Sequence, residues 1–406
     1  MKIFDIPSYY RSPIIGKVKS YRKTQDARKK DFSPSFLDFD TVQIIIPRHF
    51  GFCFGVENAI EISYKAINEN PDKRIFLLSE MIHNPGVNAD LLSRGVQFLQ
   101  DTSGNQLIDW KALRADDIVI IPAFGTTIDI AQKLETIGIA PEKYNTTCPF
   151  VEKVWKRSQK LGEDNYTVII HGKNNHEETR ATFSHAQVYA KSVIVKDMAE
   201  TKMLADFIMG RKPLSDFMSV FENAVSDGFD PSTDFQKIGV VNQTTMLASD
   251  TQAISDYLQS EFIQKYGSEQ INDHFANTRD TLCYATNDNQ TATLELLKED
   301  ADIALVIGGY NSSNTSHLVE LLEQKFPTYF IKDETELKDN GNLSHFNIHS
   351  KAQNESNPFS GNLPKKIIIS SGASCPDSVV DRVIQKLLKF YEGHQPIENV
   401  LLNFEN

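Results

Sequence analysis

The sequence has few cysteines, no long apolar run and no excess of basic residues, and each shortage argues against a class of protein. Four cysteines among 406 residues, Cys53, Cys148, Cys283 and Cys375, are too few for a disulfide-stabilised scaffold. No stretch approaches the ~18 consecutive apolar residues that a membrane span requires. With 54 acidic against 42 basic residues, the net charge of −12 argues against binding to the phosphate backbone of nucleic acids.

The start of the chain lacks the pattern of a secretory signal, because Asp5 and Pro7 interrupt its apolar residues. Sparse, unpaired cysteines are typical of a reducing compartment. We therefore expect a cytoplasmic protein that binds neither membranes nor nucleic acid.

What is present is the composition of a globular protein, with 40% hydrophobic and 24% charged residues. From Thr41 onward, short β-branched runs alternate with amphipathic stretches, which predicts an α/β fold with parallel sheets. The predicted strands cover residues 42–46, 118–121, 167–170, 193–195, 239–241, 303–307 and 366–369. The predicted helices cover residues 56–68, 151–161, 250–266, 290–298, 317–325 and 377–391.

The length allows two or three domains, and breaks in the alternation suggest where they divide. The basic extension at residues 1–40 is interpreted as a solvated surface arm, with a transit peptide or a docking site for an acidic partner as alternatives. Two stretches are interpreted as surface insertions, of which the second is expected to be mobile. The predicted boundaries are 41–147, 148–282 with an insertion near 209–236, 283–391 with an insertion near 333–364, and a tail at 392–406.

Three of the cysteines occupy equivalent places in this pattern. Cys53, Cys148 and Cys283 each stand just ahead of a predicted helix. The free N–H groups and the dipole of a helix N-terminus favour a thiolate over a thiol. The repeat therefore suggests three similar α/β units, each of which contributes one thiolate to a shared centre. Cys375 has no counterpart in the repeat.

Three isolated thiolates favour an iron–sulfur cluster over a structural zinc ion. Structural zinc sites normally have four ligands with a closely spaced pair of cysteines, and no such pair occurs here. A cubane held by three thiolates keeps one iron open, and that iron can act as a Lewis acid. The alternative for each cysteine is a small buried hydrophobic residue.

Polar motifs after several strands indicate a small anionic substrate. Residues 311–316, Asn-Ser-Ser-Asn-Thr-Ser, lie between a predicted strand and a helix N-terminus, where phosphate oxygens bind readily. Helix capping by Ser and Asn explains one or two of these residues but not six. Ser374, His83 and His176 have the same placement, and Glu178 could transfer protons if it is buried.

Six segments occur in a characteristic order along the chain. They are Gly51-Phe52-Cys53-Phe54-Gly55-Val56, Asn145-Thr146-Thr147-Cys148-Pro149, Asn242-Gln243-Thr244-Thr245, Cys283-Tyr284-Ala285-Thr286-Asn287, Asn311-Ser312-Ser313-Asn314 and Gly372-Ala373-Ser374. On these segments, the sequence resembles the 4-hydroxy-3-methylbut-2-enyl diphosphate reductases, the LytB-type family, over roughly residues 41–391.

The resemblance implies three similar α/β domains in a pseudo-threefold arrangement around one central [4Fe–4S] cluster per chain. It implies an iron–sulfur oxidoreductase that catalyses the last step of the non-mevalonate isoprenoid pathway. The substrate hydroxyl would bind the open iron and leave as water, which gives isopentenyl and dimethylallyl diphosphates. A ferredoxin or flavodoxin would supply the electrons.

The resemblance also implies a role for each site residue. Cys53, Cys148 and Cys283 would bind the cluster. Glu178 matches the proton donor, and Thr244 matches the threonine that holds the substrate oxygen. The expected substrate-binding residues, which contact the diphosphate, are His83, His176, Ser312, Ser313, Asn314 and Ser374.

Two positions depart from the family pattern. Phe124 stands where well-known members carry a further diphosphate-binding histidine, so that one donor is either missing or replaced by Thr126 or Thr127. Cys375 stands where the family often has a small apolar residue.

Two other functions remain open at this point. A hydro-lyase or a quinolinate-synthase-like enzyme would also use an open iron, but it needs cationic groups for carboxylates, whereas these loops offer Ser, Thr, Asn and His. A non-enzymatic iron–sulfur or zinc redox sensor would leave Glu178 and residues 311–316 without a role.

Overall fold

A computed structural model describes residues 4–276 and 278–405 of the chain. Their contacts divide the protein into two compact units. The first unit is built from Met1–Glu57, Ile82–Ala89 and Tyr284–Asn406, and the second from Asn58–Met81 and Asp90–Cys283.

Helices and strands alternate along most of the chain. The strands are β1 (Ser35–Asp38), β2 (Gln43–Ile46), β3 (Ile75–Leu77), β4 (Gln97–Phe98), β5 (Ile118–Ile120), β6 (Thr167–His171), β7 (Ser192–Val195), β8 (Ile238–Asn242), β9 (Ile303–Ile307), β10 (Thr328–Ile331), β11 (Leu343–Asn347), β12 (Ala352–Ser356) and β13 (Lys366–Ser371). The helices are α1 (Pro13–Gln25), α2 (Phe54–Glu69), α3 (Pro85–Ser93), α4 (Ile128–Ile137), α5 (Pro149–Glu163), α6 (Glu177–Ala186), α7 (Met198–Ile208), α8 (Phe217–Phe221), α9 (Ala248–Tyr266), α10 (Ile271–His274), α11 (Tyr284–Leu296), α12 (Ser313–Leu322), α13 (Asp377–Leu388) and α14 (Ile397–Leu401).

The first unit contains a large sheet with helices on both faces. Across the described residues its strand order is β1-β2-β13-β9-β10-β11-β12, with a parallel centre and antiparallel edges. Successive side chains of a strand point to opposite faces. Ile44 and Ile46 therefore join the core beneath α1 and α13, whereas Ile45 joins the core beneath α12. Burial on both faces explains the continuous apolar runs in these strands.

The second unit contains two small parallel sheets, with strand orders β4-β3-β5 and β7-β6-β8 in the described residues. The core next to β6 and β8 includes Phe207, Phe217 and Phe262. All the predicted strands and helices occur at or close to their predicted positions, which confirms the α/β class. Helix α11 begins at Tyr284, earlier than the predicted start near residue 290. The apolar pattern did not reveal its first turns, because the buried face of the helix carries Thr and Asn side chains.

The prediction of a solvated arm at the N-terminus is wrong. Helix α1 buries Ile14 and Ile15 in the large core, and β1 pairs antiparallel with β2. The Asp381 carboxylate accepts hydrogen bonds from the backbone N–H groups of Ile14 and Ile15, both at 3.1 Å. The many basic residues of this segment made its few buried apolar residues hard to recognise in the sequence.

The two expected insertions are also ordered parts of the units. Residues 209–236 contain α8, whose Phe217 and Phe221 are buried. Residues 333–364 contain the hairpin of β11 and β12, which extends the large sheet and corrects the prediction of a mobile segment. The hairpin was missed because the exposed, polar residues of β12 are typical of a loop. No helix of the described residues has the length and apolarity to cross a membrane.

Candidate active site

In the second unit, Glu178 and Thr244 form a buried pair. Glu178 lies in the first turn of α6 and is only 1% exposed. Its Oε1 accepts a hydrogen bond from the Thr244 backbone N–H at 2.5 Å, and its Oε2 accepts one from the Thr244 hydroxyl at 2.9 Å. His176 caps the same helix, because its Nδ1 accepts from the Glu178 N–H at 3.2 Å. A carboxyl group is thus held against a hydroxyl away from bulk water.

The backbone connects this pair to Cys283. The Cys283 N–H donates to the Thr244 carbonyl at 3.1 Å. Two further hydrogen bonds fix the loop, because the Thr281 N–H donates to Asn242 Oδ1 at 2.8 Å and the Thr281 hydroxyl donates to the Asn242 carbonyl at 2.9 Å. Cys283 stands immediately ahead of α11, as the repeat predicts.

Gln243 is a supporting residue to which sequence reasoning gave no role. It is completely buried beside Thr244, and its Oε1 accepts from the Thr179 hydroxyl at 3.0 Å. Its Nε2 donates to the Thr245 hydroxyl at 2.8 Å. Gln243 therefore ties the loop after β8 to the first turn of α6. Its place beside Thr244 in the sequence is the only signal that could have indicated this role.

Cys148 occupies the N-cap of α5. The pKa of its thiol is raised to about 11, mainly by burial and also by the nearby Cys283 and Glu178, whereas the backbone N–H of Phe150 acts in the opposite direction. The helix N-terminus acts in the predicted direction, but desolvation outweighs it. The pKa of the Cys148 thiol is therefore higher than its place at a helix N-terminus suggests.

In the first unit, Cys53 immediately precedes α2, and its N–H donates to the Ala373 carbonyl at 3.3 Å. The next residue of that turn, Ser374, donates its hydroxyl to the His83 carbonyl at 3.1 Å. A Cβ on Gly309 would lie 2.3 Å from the same carbonyl oxygen, so that only glycine permits this approach. The fold thus assembles Cys53, Ser374 and His83 around one pair of turns.

The N-terminus of α12 meets the same turns. Ser312 is the N-cap, with its Oγ accepting from the Thr315 N–H at 3.2 Å, and Ser313 is buried in the first turn. Asn314 Oδ1 accepts from the Ala373 N–H at 2.9 Å. The buried Asn314 Nδ2 has no hydrogen-bond acceptor in the described part of the chain. This amide keeps a donor available for an anion.

The aromatic ring of Phe124 lies edge-on to the imidazole of His176, with 5.6 Å between centroids. The expected substitute donor, Thr126, has a buried hydroxyl without a partner among residues 4–276 and 278–405. Thr127 precedes α4 and makes no side-chain cap.

Cys375 differs from the other cysteines. It is fully buried in the core of the large sheet, and this burial raises the pKa of its thiol strongly. It therefore has the surroundings of a small hydrophobic residue.

No group of three or more His, Cys, Asp or Glu in the described residues could hold a single metal ion. Each thiolate of a cubane binds a different iron, so that cluster ligands need not converge on one point. Isolated thiolates ahead of helices fit a cluster better than a mononuclear ion. Of the predicted site residues, the second unit brings together Cys148, Cys283, Glu178, Thr244 and His176, and the first unit brings together Cys53, His83, Ser312, Ser313, Asn314 and Ser374.

This combination defines an α/β protein with single cysteines at helix starts, a buried carboxyl–hydroxyl pair and a polar helix N-terminus. The family model described as LytB protein matches residues 44–388. The chain belongs to the LytB family.

Curated relatives in the family have a shared name. The 4-hydroxy-3-methylbut-2-enyl diphosphate reductase of Thermosynechococcus vestitus is 40% identical over 85% of this chain and 84% of its own length. The enzyme of the same name from Rippkaea orientalis is 39% identical over 86% and 85%. The solved structure of the E-1-hydroxy-2-methyl-but-2-enyl-4-diphosphate reductase from Plasmodium falciparum covers 85% of this chain and 87% of that chain, with a TM-score of 0.62 and 22% identity. The last comparison supports the fold.

Proposed function

We propose that this protein is a 4-hydroxy-3-methylbut-2-enyl diphosphate reductase, which removes the substrate hydroxyl to give isopentenyl and dimethylallyl diphosphates. Two electrons and two protons enter, and the oxygen leaves as water. Membership in the LytB family supports the reaction. The single observation that carries the assignment to named residues is the buried Glu178–Thr244 pair, whose Thr244 carbonyl also accepts from the Cys283 N–H.

We further propose that Cys53, Cys148 and Cys283 bind one [4Fe–4S] cluster per chain. When bound, this cluster supplies electrons and an open iron with Lewis acidity toward the substrate oxygen. The place of each cysteine directly ahead of α2, α5 or α11 supports this ligand set. A ferredoxin or flavodoxin is the proposed electron donor, and the sparse cysteines of the sequence support a reducing compartment such as the cytoplasm.

Proton delivery is assigned to Glu178. Its carboxyl contacts the Thr244 hydroxyl, which can hold the substrate oxygen and pass a proton to it. Burial excludes water from the carboxyl, so that the proton goes to the bound oxygen rather than to solvent.

The diphosphate is assigned to neutral and imidazole donors. Asn314 offers its Nδ2, and the N-terminus of α12 offers a favourable dipole for negative charge. Ser312, Ser313, Ser374, His83 and His176 complete the proposed set.

Anaerobic purification tests the proposal. We expect about four irons per chain, the cubane stoichiometry, and consumption of the hydroxylated diphosphate when a chemical reductant is supplied. Iron without consumption would assign the protein to another iron–sulfur function, and zinc without iron would contradict the cluster.

Serine variants of the four cysteines test the ligand set. Cys53→Ser, Cys148→Ser and Cys283→Ser should each lose iron and activity. Cys375→Ser is the matched control and should retain both, because Cys375 lies in the apolar core. Loss of iron from this control alone would contradict the assignment.

A further inference from the structure

The first unit contains a cavity in which, among the described residues, Cys53 is the one lining residue with a proposed role. Its volume is about 500 Å³, in the range of small-molecule sites. Much of its wall comes from residues before position 44, where the LytB family match begins. The aromatic side chains around it are Phe4, Tyr10, Phe50, Phe52 and Tyr284.

The cavity is positively charged although the chain as a whole is acidic. Five cationic side chains and three carboxylates line it. Lys19 is neutralised by Asp377, with 2.7 Å between Nζ and Oδ1. The other four cations have no carboxylate within ion-pair distance in the described residues; they are Arg11, Lys23, Lys29 and Arg48.

Two buried polar atoms next to the cavity lack hydrogen-bond partners in the described residues, although Arg48 Nη2 donates to the Arg22 and Asp26 carbonyls. Arg48 is 6% exposed, and its Nε has no acceptor among the described residues. His49 Nε2 is likewise buried without a partner in this part of the structure. Burial, together with the charges of Arg48, Lys29 and Lys19, lowers the pKa of His49 to about 4. An anion is the ligand that this environment favours.

The cavity is not the proposed diphosphate site of the substrate. None of His83, Ser312, Asn314 or Ser374 lines it, although Cys53 does. One wall residue, Asn289, has its Nδ2 3.5 Å from Asn314 Oδ1, so that a ligand here would lie one side chain away from the substrate-binding amide.

We propose that this cavity is a second anion site, which binds an organic diphosphate through the four cations and packs its apolar or aromatic part against the aromatic side chains. Charge-assisted hydrogen bonds from Arg and Lys recognise the diphosphate, and ring faces bury the remainder. An isoprenoid diphosphate and a nucleoside diphosphate share this chemistry. The inference goes beyond the proposed function and does not require it.

Equilibrium dialysis of labelled pyrophosphate against the holoenzyme tests the site. The double variant Lys23→Gln/Lys29→Gln should bind one equivalent per chain less than the wild type, or bind that equivalent about tenfold or more weakly. Arg28→Gln/Lys30→Gln is the matched control, because it removes the same charge from adjacent exposed positions that do not line the cavity. The control should bind as the wild type does.

Two outcomes would overturn the inference: equal binding by the wild type and the cavity variant, or equal loss in both double variants. If the cavity variant binds pyrophosphate as the wild type does but has a raised KM for a reduced acidic electron donor, the four cations would belong to a protein-docking surface instead. Dimethylallyl diphosphate and ADP are then tested as competitors for the equivalent of pyrophosphate that only the wild type binds. The better competitor shows whether the cavity prefers an isoprenoid or a nucleoside diphosphate. Turnover of the hydroxylated substrate, measured separately, decides the proposed function.

Discussion

The N-termini of α6 and α12 share a local architecture but carry different functional groups. Each follows a buried parallel strand, β6 or β9, and a short glycine-containing loop. At α6 the key side chain is a carboxyl, and both its oxygens accept hydrogen bonds from Thr244. At α12 the key side chain is the amide of Asn314, whose oxygen is engaged and whose Nδ2 lacks an acceptor in the described residues.

This difference supports the proposed division between proton transfer at α6 and anion binding at α12. A carboxyl that is fully engaged inside the protein can exchange a proton with its partner but would repel a phosphate. A neutral amide with an available N–H, at the positive end of a helix dipole, attracts a phosphate but has no proton to give. The following substitutions test that division, from the largest expected effect to the smallest.

Glu178→Gln should reduce kcat by at least about 10²-fold, because general acid catalysis contributes about 10²–10⁴-fold. The glutamine can accept from the Thr244 N–H and donate to its hydroxyl, so that the fold is preserved. Steady-state kinetics and iron content measure the effect. The adjacent Glu177→Gln is the control, because Glu177 Oε1 accepts from the Ser79 hydroxyl rather than from Thr244. Near-normal turnover of Glu178→Gln would place the proton source elsewhere.

Asn314→Asp should raise KM by about 10–100-fold with a smaller change in kcat, since hydrogen bonds to charged groups are worth about 1.5–3 kcal/mol. The aspartate still accepts from the Ala373 N–H but presents a negative oxygen in place of Nδ2. Asn311→Asp, an exposed position in the same loop, controls for the added charge. Equal KM changes in the two variants would remove Asn314 from the diphosphate site.

Alanine at the loop glycines should affect the two regions unequally. In Gly309→Ala the new Cβ would meet the His83 backbone, whereas in Gly172→Ala it would meet the Thr179 hydroxyl at 2.6 Å, a side-chain group that can move away by giving up its hydrogen bond to Gln243. Overpacking typically costs about 1–3 kcal/mol, and we expect Gly309→Ala to lose more unfolding free energy. Denaturant unfolding of both variants measures the difference, and the opposite order would contradict it.

Phe124→His should have the smallest effect, and only at acidic pH. An ordinary histidine with a pKa of ~6.5 is cationic at pH 6 and neutral at pH 8, so that it attracts phosphate only at the lower pH. The ring faces His176, which places the new imidazole beside a proposed diphosphate contact. KM should fall a few-fold at pH 6 and stay unchanged at pH 8. An unchanged profile would mean that position 124 does not face the diphosphate.

The buried parallel strands were predictable because both of their faces are apolar. The hairpin of β11 and β12 was not, since β12 is almost entirely exposed and polar. The N-terminal segment was misjudged for a related reason: Ile14, Ile15 and Val18 anchor a helix whose other residues are largely polar or charged.

The placement of the cysteines ahead of helices was predictable, but the contacts within the candidate site were not. The cysteine repeat placed each thiol before a helix, and this placement is confirmed. No pattern within the sequence brings Glu178 to Thr244, because that contact joins positions 66 residues apart. The role of Gln243 and the high pKa of the Cys148 thiol depend on burial, and the burial of an individual polar residue cannot be predicted from the sequence alone.

The pairing of β2 with β13 has a consequence for biosynthesis. Their register joins Gln43 to Lys366, so that β2 is made more than 300 residues before its parallel partner. At ~5–20 residues per second, the ribosome needs roughly 15–60 s to reach β13. During that time β1 can cover one edge of β2, while the other edge remains an unpaired apolar strand. The nascent chain therefore carries an aggregation-prone edge until its last tenth emerges, and truncation before β13 would make that exposure permanent.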